Sequence, residues 1–180
     1  CNPTKIVFGE GRLPEIGTEA AAVGSKALFV YGQSSLKKSG AYDRVVASLN
    51  DAGVSFVEFP GVRANPVLSH TREGIALARE SGVDFIVAVG GGSVIDEAKA
   101  IAAGAVADGD VWDFYAQKAT PTGALPLVAA VTLAATGTEM NGGTVITNED
   151  DNRKLGLIDP HLNPRVTVMD PALTFTVPDY

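Results

Sequence analysis

The sequence predicts an α/β protein, a Rossmann-like parallel sheet with helices on both faces. Three observations predict it. Apolar, β-branched runs alternate with segments of helical period up to about residue 107. The run Phe85–Val89 is apolar at every position, as a strand covered on both faces must be. Three consecutive glycines, Gly90, Gly91 and Gly92, then join that strand to a helix.

Each element follows in order. Thr4–Phe8 is the first strand, and Arg12–Val23 a helix behind it. Ala27–Tyr31 is the second strand, followed by a helix over Ser39–Ala52 whose Val45, Val46 and Leu49 recur at three- and four-residue spacing. Val54–Glu58 is the third strand, and Val67–Ser81 a helix with Ile75, Leu77 and Ala78 on its apolar side. Gly53 and Gly82 stand just past these two helices, where a left-handed closing residue is needed. Phe85–Val89 and a helix over Ser93–Ala107 complete the regular part. From Asp108 the pattern loosens. Trp112–Gly123 reads as a loop, and Gly137–Asp151 as a turn, a short strand and an acidic tip. Leu125–Val131, Thr144–Thr147, Lys154–Ile158 and Val166–Met169 read as strands. No internal repeat, linker or low-complexity segment interrupts the chain.

Composition narrows the function. The 180 residues, 46% of them hydrophobic, suit one domain able to bury roughly two-thirds of its unfolded surface. Net charge is −7, and the 14 Lys and Arg are scattered, which argues against nucleic acid or an anionic membrane as partner. No apolar stretch approaches the ~20 residues of a membrane span, and no basic, apolar leader precedes the first strand. With Cys1 the single cysteine, a soluble, reducing, cytoplasmic setting is expected. A start on Cys1-Asn2-Pro3-Thr4 and a stop at Tyr180 without a closing helix lead us to expect part of a longer protein.

The glycines lie at the carboxyl edge of the sheet, where open α/β sheets bind ligands. Two readings of them stand. In one, they let backbone N–H groups approach a phosphate at the positive end of the following helix, with no Cβ in the way. In the other, they only fit a tight turn, with Ser93 as N-cap and Asp96 as its capping-box partner. The spacing is neither the Gly-x-Gly-x-x-Gly fingerprint nor a Walker loop, so the motif by itself signals phosphate and no particular cofactor.

Several segments in order resemble the iron-containing, or group III, alcohol dehydrogenases, especially their NADP-dependent butanol dehydrogenase and aldehyde reductase branch. Asn2–Gly11 is similar to the family's opening strand and turn, and Gly90–Lys99 to its pyrophosphate loop and helix. Asn65-Pro66 is similar to its Asn-Pro motif, Thr132–Glu139 to its Thr-rich cofactor segment, and Asp170-Pro171 with Pro178 to the end of its first domain. The resemblance implies that residues 1–180 are the dinucleotide-binding N-terminal domain of a dehydroquinate synthase-like fold. The family's helical, metal-binding C-terminal domain would lie outside this chain. It implies that Gly91, Gly92 and Ser93 hold the pyrophosphate and that Asp96 sits near the nicotinamide end. Thr132, Leu133 and Thr136 would line the cleft, and Lys154 would reach the nicotinamide ribose. For Thr132 and Thr136 the residues agree, since hydroxyls after the strand Leu125–Val131 share the glycines' edge of the sheet. Many relatives have Thr-Thr where this chain has Thr132-Leu133, which removes a side-chain hydrogen bond from the second position.

In the family the turn after the second strand faces the adenosine ribose. Here it is Gly32-Gln33-Ser34-Ser35-Leu36-Lys37-Lys38, with no Asp or Glu between Glu19 and Asp43. An NAD enzyme usually places a carboxylate there, whereas Gly32, Ser34, Ser35 and Lys37 suit a 2′-phosphate. NADP is therefore expected ahead of NAD. The resemblance also implies hydride transfer to or from a small alcohol or aldehyde at a divalent Fe or Zn held by one Asp and three His in the full-length protein. This chain has only His70 and His161, neither in a helical pair, so no metal ligand and no catalytic residue is assigned within it. Apolar surface left uncovered by the family's helical domain would drive self-association, so a homo-oligomer is expected. Two other readings are a phosphate- or nucleotide-binding module without catalysis, and a sister enzyme such as a glycerol dehydrogenase or a dehydroquinate synthase-like lyase.

Overall fold

The structure, a computed structural model, describes residues 2–133 and 135–175. Pro178 of the resemblance lies outside them. Six parallel strands form the sheet, in the order β1 (Lys5–Phe8), β8 (Val166–Met169), β5 (Leu127–Val131), β4 (Phe85–Gly90), β2 (Lys26–Gly32) and β3 (Ser55–Val62). The remaining strands, β6 (Gly143–Asn148) and β7 (Arg153–Ile158), pair antiparallel with each other as a separate hairpin.

Strand pleating divides the core in two. Phe85, Val87 and Val89 of β4 face one side with α1 (Ile16–Ala21) and α3 (Ala41–Asp51). Ile86 and Ala88 face the other, under α4 (Leu68–Ser81) and α5 (Gly92–Val106). Every residue of β4 is buried, as its unbroken apolar run requires. The chain moves outward from β2 to β3 by way of α3, then returns across β2 by way of α4 to form β4. The order therefore reverses between β2 and β4, which makes that edge the topological switch point.

Most strand assignments hold to within two residues, and Gly53 and Gly82 take the left-handed φ of +72° and +61° that closes their helices. The differences have physical causes. β3 runs past Glu58 through Pro60 to Val62, because an edge strand tolerates a residue without an N–H. Arg12–Val23 divides into a 3₁₀ turn over Leu13–Glu15 and α1. Two single turns of helix go unread in the sequence: α2 (Ser35–Lys38) and α6 (Trp112–Tyr115), the latter burying Trp112, Phe114 and Tyr115 inside the expected loop. Four residues are too few to show a period. Among the described residues, no helix is long and apolar enough to cross a membrane.

Two close approaches fix the helices. Gly17 of α1 sits against α3, where a Cβ would lie 2.0 Å from the Ser48 carbonyl oxygen. On the other face His70 of α4 reaches Glu97 of α5 through Nδ1 at 2.6 Å and the Pro60 carbonyl through Nε2 at 3.2 Å, stacked on Phe59. Both ring nitrogens face acceptors, so the protonated ring satisfies both. Glu97 is fully buried and its Oε2 has no hydrogen-bond partner among the described residues. The hydrogen bond to Glu97 holds the His70 pKa above its usual value, against the opposing effect of burial.

Gly17→Ala gains up to about 1 kcal/mol of helix propensity but collides with backbone, so a net loss of roughly 1–3 kcal/mol is expected in denaturant unfolding. A gain in stability would contradict this packing. Because the folded pKa of His70 is raised, its stabilisation is complete below pH 6.5 and is lost as pH climbs through the folded value. Unfolding free energy measured from pH 6 upward should fall in the parent chain, and the His70→Gln variant should lack that component.

Candidate functional site

At the switch point a cleft of about 330 Å³ lies at the carboxyl ends of β2 and β4. Its lining includes Gly32 from β2, Ser35 and Lys38 from α2, Gly90 and Gly91 from the β4–α5 turn, and Thr132 after β5. The Thr132 amide donates to the Gly90 carbonyl at 3.0 Å, which closes one end.

The glycine turn answers to close approach and not to a left-handed backbone. Gly90, Gly91 and Gly92 all lack a positive φ. A Cβ on Gly90 would meet the Val94 side chain at 2.5 Å, and one on Gly92 would meet Thr136 Oγ1 at 2.6 Å. Gly91 differs: among the described residues only Leu133 Cβ, at 3.7 Å, lies within 4 Å of its Cβ position, and the residue lines the cleft. Gly91 is the N-cap of the 15-residue α5, and the amides of Gly92 and Ser93 in its first turn have no backbone partner among the described residues. An anion in the cleft would find unpaired donors and the positive end of the helix dipole.

The capping-box reading of Ser93 and Asp96 does not hold. The helix begins at Gly92 with Gly91 as its N-cap, two residues earlier than the motif needs, and among the described residues no side chain caps it. Asp96 instead accepts from Thr138 Oγ1 at 2.6 Å and from the Val145 amide at 3.1 Å. Burial pushes its pKa up, opposed by the Thr138 hydrogen bond and by Lys99.

Lys99 is the residue that sequence reasoning missed. Fully buried one turn below Asp96, its ammonium donates to the carbonyls of Thr138 (2.6 Å), Asn141 (2.7 Å) and Gly143 (2.8 Å), and to Thr138 Oγ1 (2.8 Å). Thr138 Oγ1 thus accepts from Lys99 and passes its own proton toward Asp96. Burial pushes the Lys99 pKa down to about 8, opposed by Asp96 and Glu139, so the group is still charged at neutral pH. The clamp ties the loop bearing Thr132, Leu133 and Thr136 to the helix that starts at the glycines. A signal existed: Lys99 interrupts the otherwise apolar stretch Ala98, Ala100, Ile101, Ala102.

Of the other expected site residues, Gly32 and Ser35 line the cleft with Gly91 and Thr132, while Leu133 and Thr136 flank the glycine turn. Ser34 is the exposed N-cap of α2 and makes no side-chain capping bond among the described residues. The Lys37 ammonium lies 4.6 Å from the Tyr42 ring centroid and 5.6 Å from that of Tyr31, so it does not line the cleft. Beneath it Glu58 accepts from the Tyr31 and Tyr42 hydroxyls, which lowers the carboxylate's pKa, Tyr31 contributing most. Lys154 stands on the hairpin outside the cleft, donating to Asn65 Oδ1 at 2.7 Å. His161 contacts Asp159 at 2.7 Å in a turn.

Lys99→Met removes the buried ammonium that three carbonyls share and should cost roughly 3–5 kcal/mol, read as a lowered denaturant midpoint. Fast amide exchange confined to residues 138–145 in a variant that still folds would show the same clamp acting locally.

The model of the iron-containing alcohol dehydrogenase family matches residues 3–171. The chain is 49% identical over 177 residues to the probable NADH-dependent butanol dehydrogenase 1 of Bacillus subtilis, covering 98% of this chain and 46% of that protein. It is 36% identical over 179 residues to the NADPH-dependent aldehyde reductase YqhD of Escherichia coli, covering 98% of this chain and 46% of the relative. The crystal structure of NADH-dependent butanol dehydrogenase A from Thermotoga maritima superposes with a TM-score of 0.97 at 49% identity, over 99% of this chain and 45% of that one. The chain therefore spans about half the length of the relatives it matches. With the sheet order, the glycine turn and these matches in agreement, the chain belongs to the iron-containing alcohol dehydrogenase family.

Proposed function

We propose that residues 1–180 form the dinucleotide-binding domain of a metal-dependent oxidoreductase that moves hydride between NAD(P)H and a small alcohol or aldehyde. The observation that carries the reading is Gly91. It is a cleft-lining N-cap whose Cβ position meets, among the described residues, no more than an ordinary van der Waals contact with Leu133 at 3.7 Å, beside amides that have no backbone partner there, at the switch point of the sheet. A diphosphate fits such a cradle, and a bound nicotinamide would supply the hydride chemistry. In this reading the amides of Gly92 and Ser93 hold the diphosphate, with Thr132, Leu133 and Thr136 beside it. Asp96 and Lys154 lie toward the nicotinamide end.

The relatives named as butanol dehydrogenases and an aldehyde reductase support an alcohol or aldehyde substrate. Their names divide between NADH and NADPH. We favour NADP, because among the described lining residues none is a carboxylate, and the nearby Glu58 is engaged by two tyrosines. Among the described residues no three His, Cys, Asp or Glu side chains converge to hold a metal ion. In this reading the family's Fe or Zn would be held outside residues 1–180, and no step is derived through it here. Exposed Phe8 and Ile158 on strands β1 and β7 support assembly into a homo-oligomer, and the single cysteine supports a cytoplasmic setting.

Fluorescence titration with NADPH and NADH tests the reading. Gly91→Val should keep the parent unfolding midpoint while weakening dinucleotide binding by roughly tenfold or more, since a side chain would occupy the diphosphate seat. Gly92→Val is a poorer probe, because its collision with Thr136 disturbs the fold as well. A parent chain that binds neither dinucleotide would remove the proposal.

A further inference from the structure

The grip of Lys99 on residues 138 to 143 depends on its charge. Four oxygens lie within 2.8 Å of the buried nitrogen: the carbonyls of Thr138, Asn141 and Gly143 and the Thr138 hydroxyl. An ammonium meets them with three N–H groups, whereas a neutral amine would offer two and turn a lone pair toward a carbonyl oxygen. The charge also sets the direction of the Thr138 hydroxyl. Because the ammonium only donates, Thr138 Oγ1 accepts from it and gives its own proton to Asp96 Oδ1 at 2.6 Å, while Asp96 Oδ2 accepts from the Val145 amide at 3.1 Å. Asp96 is thereby fixed with both oxygens engaged, and Thr136 is held against Gly92. Two carboxylates face the ammonium, Asp96 from its own helix and Glu139 from the 3₁₀ turn over Thr138–Met140. Lys154 of β7 acts on Asp96 in turn. Tyr115 of α6 is bonded to Thr144 at 3.0 Å, Glu97 faces His70 of α4, and Asp159, whose amide donates to the Gly142 carbonyl, is paired with His161. Burial outweighs the two carboxylates and leaves the Lys99 pKa at about 8.

We infer that Lys99 is a positioning residue of the dinucleotide site, acting through Thr138 on Asp96 and Thr136, and that dinucleotide binding takes up a proton onto its amine. The inference rests on the dinucleotide reading above. Binding requires the charged form, so affinity is full below the Lys99 pKa and falls as pH climbs through it. Global stability moves the other way. The folded pKa lies below the unfolded value of 10.5, so loss of the proton adds unfolding free energy as pH rises from about 8 toward 10.5. A fall in affinity across this range is therefore separable from any loss of the fold.

The test is titration of the full chain with NADPH and with NADH at about pH 7 and about pH 9. The tighter-binding dinucleotide should lose roughly tenfold in affinity at the higher pH, because the charged fraction falls by that factor across a pKa of about 8. Calorimetry at about pH 8, in two buffers of unlike ionisation enthalpy, should count about half a proton taken up per dinucleotide bound. His70→Gln should keep the tenfold fall, which separates Lys99 from the other group whose raised pKa approaches this range. Lys99→Met should bind weakly at both pH values with no further fall. Thr138→Val should weaken binding near neutral pH, and Thr138→Ser should restore it. Unfolding midpoints report which variants are folded, and the proton count needs no variant. The inference is overturned if parent affinity is level over this range, if no proton is taken up, if a folded Lys99→Met still shows the fall, or if His70→Gln abolishes it. A parent chain that binds neither dinucleotide at either pH overturns the dinucleotide reading itself.

Discussion

The buried ammonium of Lys99 is the interaction on which the cleft depends. Taking such a charge out of water costs several kcal/mol, and only a full set of acceptors offsets it. Three carbonyls from residues 138 to 143 supply that set, so the segment cannot leave α5 without stranding either the charge or the carbonyls. The consequence reaches the glycine turn. With Thr138 drawn onto Lys99, its hydroxyl is aimed at Asp96, and the preceding loop brings Thr136 so close to residue 92 that no side chain fits there. Gly92 is thus required by the clamp, whereas the Cβ position of Gly91 meets nothing tighter than Leu133 Cβ at 3.7 Å among the described residues. Two neighbouring glycines answer to different demands.

The sheet was largely legible because its physics is local. β4 declares itself by an apolar run buried on both faces, and the helices around it by their period. Gly53 and Gly82 mark two helix ends because the left-handed backbone penalises other residues there. What escaped was set by tertiary contact. Nothing in Ser93-Val94-Ile95-Asp96 reveals that the helix starts at Gly92, or that Asp96 turns to Thr138 and Val145, residues more than forty positions away. The single turns α2 and α6 are held by burial of Leu36 and of Trp112, Phe114 and Tyr115, which no periodicity over four residues can announce. The site was legible at its glycines and threonines and not at its lysines. A long side chain can reach rings, carbonyls or solvent from the same backbone position, as Lys37, Lys99 and Lys38 respectively do.

The carboxyl edge of the sheet holds two unlike hollows. One, at the switch point, is lined by glycines, Ser35, Lys38 and Thr132. The other, of about 290 Å³, is lined by Phe8, Val131, Met169, Asp170, Pro171 and Thr174 across the ends of β1, β5 and β8. Val131 belongs to the second and Thr132 to the first, so a single residue step after β5 divides donor-rich from apolar surface. The pleat produces the division. Val131 points into the core layer shared with Met169, and the chain then turns out of the strand to expose Thr132 and Leu133 at the edge. A charged diphosphate needs the first kind of surface, and a reacting carbon from which water must be kept needs the second. One sheet edge provides both side by side: Gly90 and Val131 are paired at the ends of β4 and β5, Gly90 lining the first hollow and Val131 the second.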